Sequence, residues 1–172
     1  MNGALRHGIL LGLLTGIMAC SGCTHEPDVD PTDTRLLDLA RGSDAMIWYA
    51  GSSAPLPRSD GSGHQEPFLR TRYNSVAASV LDSGLMVTLD TLFPEGALIV
   101  KELMTDASTV DTYAILLKDS DDPAADASGW VWGYLRTDGT VRVPAADKGA
   151  ACRSCHTQAG HIDQTLMNIS FP

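Results

Sequence analysis

The sequence predicts an α+β fold, in which an N-terminal helix is followed by a mainly antiparallel β-sheet and a short helix near the C-terminus. Apolar residues recur at helical spacing early in the chain, and four short runs rich in β-branched and aromatic residues follow. Asp138-Gly139, between the last two runs, is a strong hairpin signal. Helices that precede strands, rather than alternate with them, favour α+β over α/β.

The helical part begins with Arg35–Tyr49, which predicts one helix that ends near Gly42 or restarts after it. Positions 50–63 are rich in Ser, Gly and Pro and predict a loop. Asn74–Asp82 predicts a second helix, because Asn74 is a favourable N-cap residue and apolar residues recur behind it.

The strand part contains four segments separated by glycine and acidic turn clusters. They are Ala97–Met104, Tyr113–Lys118, Gly129–Arg136 and Thr140–Val143. Their spacing predicts an antiparallel meander. Gly149–Cys155 then predicts a return to a short helix.

The first residues have the pattern of an export leader. Met1–Ala19 carries one positive charge, Arg6, and an apolar run shorter than the roughly 20 residues that span a bilayer, so a cleaved signal peptide is expected. The Ala19-Cys20 junction resembles a bacterial lipobox and predicts lipid modification of Cys20, with Cys23 as the alternative. Ordinary cleavage with a disulfide between these two cysteines stays open. Both readings predict export, and lipidation would anchor the protein at the periplasmic face or the cell surface of a bacterium.

The chain therefore divides into a lipoprotein-type signal peptide (1–19), a flexible tether (20–34) and one domain (35–172). The formal net charge is −9, and it becomes −10 when Arg6 is removed with the leader. An acidic surface argues against nucleic acid or anionic lipid as partners. The lipid anchor is then the only membrane contact expected.

A C-x-x-C-H run, Cys152-Arg-Ser-Cys155-His156, lies 16 residues before the C-terminus. This pattern is typical of covalent haem attachment. Two thiols at i and i+3 lie on the same side of a helical turn and can add across two porphyrin vinyl groups, and the next histidine can reach the iron. The motif predicts one haem c per chain, held by Cys152 and Cys155, with His156 as the axial iron ligand.

Two other readings of this motif stay open. Cys152 and Cys155 would form a redox-active or structural disulfide in a non-haem lipoprotein. A zinc site would need four ligands, and His64 and His161 are the histidines left to complete it.

The position of the motif separates classes of haem protein. An electron-transfer cytochrome c usually carries its motif near the N-terminus and a methionine ligand far downstream. Here only positions 157–172 follow, and Met167 is too near in sequence to wrap to the opposite haem face. An open sixth iron position is favoured, and a periplasmic electron-transfer cytochrome c is the alternative.

Four segments occur in a recognisable order: His64 with Arg72-Tyr73-Asn74, then Phe93–Glu102 as F-P-x-G-x-x-x-V-K-E, then the aromatic strand Gly129–Gly133, and finally the C-x-x-C-H run. Over roughly Arg35–Phe171 this order resembles the cytochrome P-460 family, which also contains cytochrome c′-beta. One departure is Asp163–Leu166, where family members often carry D-Y-V-F.

The resemblance implies a compact, mainly antiparallel β fold with a long N-terminal helix, a pentacoordinate haem c and, often, a homodimer. Cytochromes P-460 have a lysine cross-linked to the porphyrin and oxidise hydroxylamine. The c′-beta members lack the cross-link and bind nitric oxide or carbon monoxide behind an apolar distal wall. The expected function is thus small-ligand binding or, as a haem oxidoreductase with a redox partner, hydroxylamine oxidation.

Lys101 is the candidate for such a cross-link. Strand alternation places it on one face with Ile99 and Leu103, either beside the haem or at an edge that faces solvent. Glu102 points the other way and is expected at the surface, where it would not act as a general base.

The remaining candidates have less specific signals. His64 and His161 are expected to be exposed to solvent, although His64 would alternatively cover the haem edge and His161 would bind a propionate. Trp130 and Trp132 share one strand face and are expected to pack in the core or against the porphyrin.

Overall fold

A computed structural model describes residues 30–42 and 45–166 of the chain. The predicted signal peptide, the lipidation sites Cys20 and Cys23, and Met167 lie outside the described residues. Within the described part the fold is α+β, with a mainly antiparallel sheet of seven strands and a few short helices, which confirms the predicted class. None of the helices described in this part is long and apolar enough to cross a membrane.

The helices are α1 (Pro31–Arg41), α2 (Ser75–Ala78) and α3 (Ala150–His156). The strands are β1 (Ile47–Trp48), β2 (Leu56–Pro57), β3 (Phe68–Tyr73), β4 (Leu98–Met104), β5 (Val110–Lys118), β6 (Trp130–Arg136) and β7 (Val141–Val143). The sheet order is β1-β3-β4-β5-β6-β7, and β2 also pairs with β3. Every pairing is antiparallel.

Helix α1 differs from the predicted element Arg35–Tyr49 at both ends. It begins earlier because the Asp30 carboxylate caps it and Pro31 occupies a first-turn position that suits proline. It ends before Gly42, and Ile47–Trp48 forms β1, which a short 3-10 turn at Tyr49–Gly51 follows. The predicted end near Gly42 is confirmed, whereas the alternative, an α-helix that restarts and runs to Tyr49, is not what forms at Ile47–Tyr49.

Strand β3 was not predicted, because its arginines interrupt the apolar pattern expected of a strand. Arg70 and Arg72 both pair with the Glu102 carboxylate on β4, and the Arg72 Nη2 to Glu102 Oε1 distance is 2.9 Å. Glu102 is only 4% exposed, so its expected surface position was wrong. Two guanidinium groups compensate its charge, and this makes burial of the carboxylate tolerable.

The sheet separates two apolar cores. On one face, which we call the α1 face, Leu36, Leu37 and Ala40 of α1 pack with Val100, Ile115 and Val131 of the central strands. On the other face, which we call the motif face, Ile99, Leu116, Trp130 and Trp132 pack with residues before and after the strands, and Cys152 of α3 lies against this core. The sheet thus positions the C-x-x-C-H motif beside the aromatic strand β6.

Candidate functional site

The C-x-x-C-H residues lie on α3. The N-cap residue of this helix, Gly149, packs against the ring of Trp132. Gly149 precedes the helix with φ of +68°, and a Cβ at this position would lie 2.6 Å from the Trp132 ring. Only glycine combines this backbone conformation with so close an approach. Gly149 therefore sets how near α3 can come to β6.

Both motif cysteines are free thiols, and their surroundings differ. Cys152 is partly buried against the core of the motif face, and burial, followed by the neighbouring Cys155, raises the pKa of its thiol. Cys155 is exposed. Gly63, in the loop between β2 and β3, lies beside its sulfur. No residue of α3 is fully buried, and the Cys155 thiol is the more accessible of the two.

The imidazole of His156 is held in one tautomer. Its Nδ1 lies 2.7 Å from the carbonyl oxygen of Gln164. Because a carbonyl oxygen only accepts, Nδ1 must carry the proton and donate it, and the Nε2 lone pair stays available. The ring also meets Trp132 edge-on, with 5.2 Å between centroids. Burial, together with the charges of Lys101 and His161, lowers the pKa of His156 despite this hydrogen bond, so the ring favours its neutral form.

The residues after α3 form a tight turn, Ile162–Thr165, which we call the C-terminal turn. Ile162 and Thr165 exchange backbone hydrogen bonds of 2.9 and 2.7 Å. Between them Asp163 and Gln164 both have positive φ, +43° and +65°. The Gln164 N–H donates to His161 Nδ1 at 3.0 Å. The turn therefore presents the Gln164 carbonyl to His156.

A buried carboxylate, Asp126, ties this turn to the sheet. Its Oδ2 accepts from Trp132 Nε1 at 3.0 Å and from Gln164 Nε2 at 3.2 Å, and its Oδ1 accepts from the backbone N–H groups of Ser128 and Trp130. Burial alone would raise the pKa of Asp126, but these hydrogen bonds outweigh it and hold the pKa below its ordinary value. Asp126 is therefore an ionised acceptor at neutral pH.

Lys101 lies on the motif face, in register with Thr71 on β3 and Ala114 on β5. Ala114 is in turn opposite Tyr134 on β6. Burial lowers the pKa of Lys101 to about 8, and its charge lowers the pKa of His156. The Thr71 hydroxyl is buried beside this row without a hydrogen-bond partner. The expectation that Lys101 shares a face with Ile99 is confirmed by the register.

His64 also belongs to this region, and its expected exposure to solvent was wrong. The ring is half-buried and stacks on Tyr134 with 5.9 Å between centroids. Burial, then the charges of Lys101 and His156, lower its pKa to about 3. At neutral pH His64 is therefore uncharged. His161, by contrast, is exposed, as expected.

Sequence reasoning missed several polar residues that the fold brings to this region. Glu66 is buried and accepts from Arg142 Nη1 at 2.8 Å and from the Tyr134 hydroxyl at 3.4 Å. Strand alternation would have placed Tyr134 with Trp132, but nothing in the sequence marks Glu66. Asp126 and Gln164 were also missed, because their roles depend on contacts across 38 positions of chain.

Comparisons with known proteins leave the family open. No protein-family model matches the chain, and no curated protein matches it. Among residues 30–42 and 45–166, no three His, Cys, Asp or Glu side chains are arranged to hold a metal ion.

Proposed function

We propose that this protein is an exported, lipid-anchored c-type haem protein of the cytochrome P-460 type. It binds small ligands such as nitric oxide or carbon monoxide, or oxidises hydroxylamine. One observation carries the proposal: the His156 Nδ1–H donates to the Gln164 carbonyl, so Nε2 is free on the same helix that holds two free thiols.

The residues present fit haem c. Cys152 and Cys155 would hold the porphyrin through thioethers, and His156 would bind iron through Nε2, the nitrogen that its tautomer leaves unprotonated. A metal-bound histidine almost always donates its other ring N–H to an acceptor, and Gln164 supplies one. When bound, the haem supplies an iron that takes up small ligands and exchanges single electrons.

The motif face supports two ligand chemistries. A c′-beta type of site would bind uncharged gases. This function is favoured because, among residues 30–42 and 45–166, no carboxylate forms a hydrogen bond with the His156 ring. His64 is uncharged at neutral pH, but a base with a pKa of about 3 accepts protons poorly.

Lys101 favours hydroxylamine oxidation as the second candidate. Burial brings its pKa to about 8, close to neutral pH, where a group can both hold and release a proton. It is also the candidate for the porphyrin cross-link. In either role its amine would lie on the face that borders His156.

An absorption spectrum of the purified ferrous protein, with and without carbon monoxide, tests the proposal. A five-coordinate spectrum that changes on addition of carbon monoxide is expected. A strongly red-shifted Soret band would point to the lysine cross-link. A six-coordinate low-spin spectrum without added ligand would favour a periplasmic electron-transfer cytochrome c, and protein without haem would favour the disulfide-containing lipoprotein.

A further inference from the structure

We infer that the C-terminal turn is a clamp that orients His156, and that Asp126 and Asp163 are the positioning residues that hold this clamp from its two sides. The inference deepens the proposed haem attachment and rests on it. Neither carboxylate contacts the His156 ring, so both would act through the turn and through Trp132.

The turn needs such support because its backbone is unfavourable. Asp163 and Gln164 both lie in the left-handed region, which residues other than glycine occupy only at a cost. Two consecutive residues of this kind persist where the surrounding contacts over-determine them. Here those contacts are hydrogen bonds between the side chains of Asp163 and Gln164 and four residues: Phe93, Lys118, Asp126 and Trp130.

Asp163 holds the turn from the side of β5 and β6. Its carboxylate accepts from the Phe93 backbone N–H at 2.9 Å, from Trp130 Nε1 at 3.2 Å and from Lys118 Nζ at 3.2 Å. Its side chain is only 7% exposed, so these partners replace water. The backbone position of residue 163 is thereby fixed to the sheet.

Asp126, in the loop between β5 and β6, holds the turn through Gln164. The same oxygen, Oδ2, accepts from Gln164 Nε2 and from Trp132 Nε1. Gln164 supplies the carbonyl that accepts from His156, and Trp132 supplies the ring against which His156 stands edge-on. One buried carboxylate oxygen thus couples both groups that define the plane and the tautomer of the His156 ring.

Three variants and a control test the clamp in the full-length holoprotein. Gln164→Leu removes the link to Asp126 and keeps the unfavourable backbone. Gln164→Gly removes the link but relieves the backbone, since glycine accepts positive φ. Asp126→Asn removes the charge of a carboxylate that accepts four hydrogen bonds, two of them at Oδ2. Asp119→Asn is the matched control: it removes the same charge from the same acidic loop, where Asp119 pairs with Arg35.

The readout is the iron–histidine stretching band of the ferrous protein in resonance Raman spectra, recorded alongside covalent haem content. We expect haem to stay attached in all variants. The band should broaden and fall in frequency in Gln164→Leu, Gln164→Gly and Asp126→Asn, and stay unchanged in Asp119→Asn. The double variant of Asp126 and Gln164 should shift the band no further than the larger single change, because both act through one contact.

An unchanged band in both Gln164 variants with haem attached would overturn the clamp. Should Asp126→Asn fail to fold, the Gln164 variants decide. If the wild type carries no covalent haem, the proposed function fails, and imidazole nitrogen NMR of His156 then judges the clamp separately. A single Nδ1–H tautomer that becomes mixed in Gln164→Leu would support it, and a mixed tautomer in the wild type would overturn it.

Discussion

At the scale of single residues, Lys101 is the side chain that most sharply separates the two ligand chemistries. It is a cation on the motif face of β4, where its neighbours Ile99 and Leu103 are apolar, and burial lowers its pKa from 10.5 to about 8. The folded state therefore disfavours its proton. This destabilisation is complete below pH 8 and fades as the pH rises from 8 to 10.5. Above pH 10.5 the amine is neutral in both the folded and the unfolded state.

Replacing Lys101 with Leu should leave the Soret band unshifted, because we expect no cross-link. The variant should lose little stability, and at pH 7 it should be more stable than the wild type, by about 2 kcal/mol. That advantage should shrink above pH 8. Urea denaturation between pH 6 and 10 measures it, with the exposed Lys148→Asn as the control. A blue shift of the Soret band together with loss of hydroxylamine oxidation would instead establish the cross-link.

Glu102 shows the opposite case, a buried charge that is fully compensated. Replacing it with Ala would leave Arg70 and Arg72 without their carboxylate in a mostly buried position. Breaking a buried ion pair from one side typically costs about 3–5 kcal/mol. Urea denaturation should show a loss of this size, whereas Asp60→Asn, which changes an exposed carboxylate, should cost less than about 0.5 kcal/mol. Equal losses in both variants would contradict this reading of β3 and β4.

At the scale of elements, the fit of α3 against β6 decides where the C-x-x-C-H motif lies. Gly149 is the point of closest approach, and its positive φ and its contact with Trp132 both exclude a larger residue. Gly61 offers a matched comparison: its φ is +81°, but a Cβ there would meet nothing within 4 Å.

Gly149→Ala should therefore displace α3 and remove most of the covalently bound haem, while Gly61→Ala should only lower stability, by about 1 kcal/mol. Two measurements on each variant separate loss of haem from loss of stability. They are the haem stain per mole of purified protein and the midpoint temperature of thermal unfolding. Equal haem content in both variants would mean that the contact between Gly149 and Trp132 does not position the motif.

The elements also show what the sequence can and cannot reveal. Strands β4 to β7 were predictable, because β-branched and aromatic residues alternate there and turn residues separate them. Strand β3 was not, because Arg70 and Arg72 read as surface residues until Glu102 is placed opposite them. The C-terminal turn had no signal at all, since Asp163 and Gln164 adopt positive φ only through tertiary contacts.

At the scale of the whole molecule, the predicted lipid group on Cys20 would anchor the proposed haem domain to a membrane. The apolar run before Cys20 and the Ala19-Cys20 junction predict a diacylglyceryl group on Cys20. Mass spectrometry of the mature N-terminus should find it, and Cys20→Ser should release the protein from the membrane fraction while Cys23→Ser should not. An unmodified N-terminus at Ser21 or later would defeat this prediction.

The central claim is that Cys152 and Cys155 hold haem covalently, and a haem stain of the denatured protein on a gel tests it most directly. Thioethers survive denaturation, so the wild-type band should keep its peroxidase stain. His156→Ala should keep it as well, because only the iron ligand is lost, whereas Cys152→Ser combined with Cys155→Ser should abolish it. Extraction of all haem from the wild type into acidified organic solvent would contradict the claim.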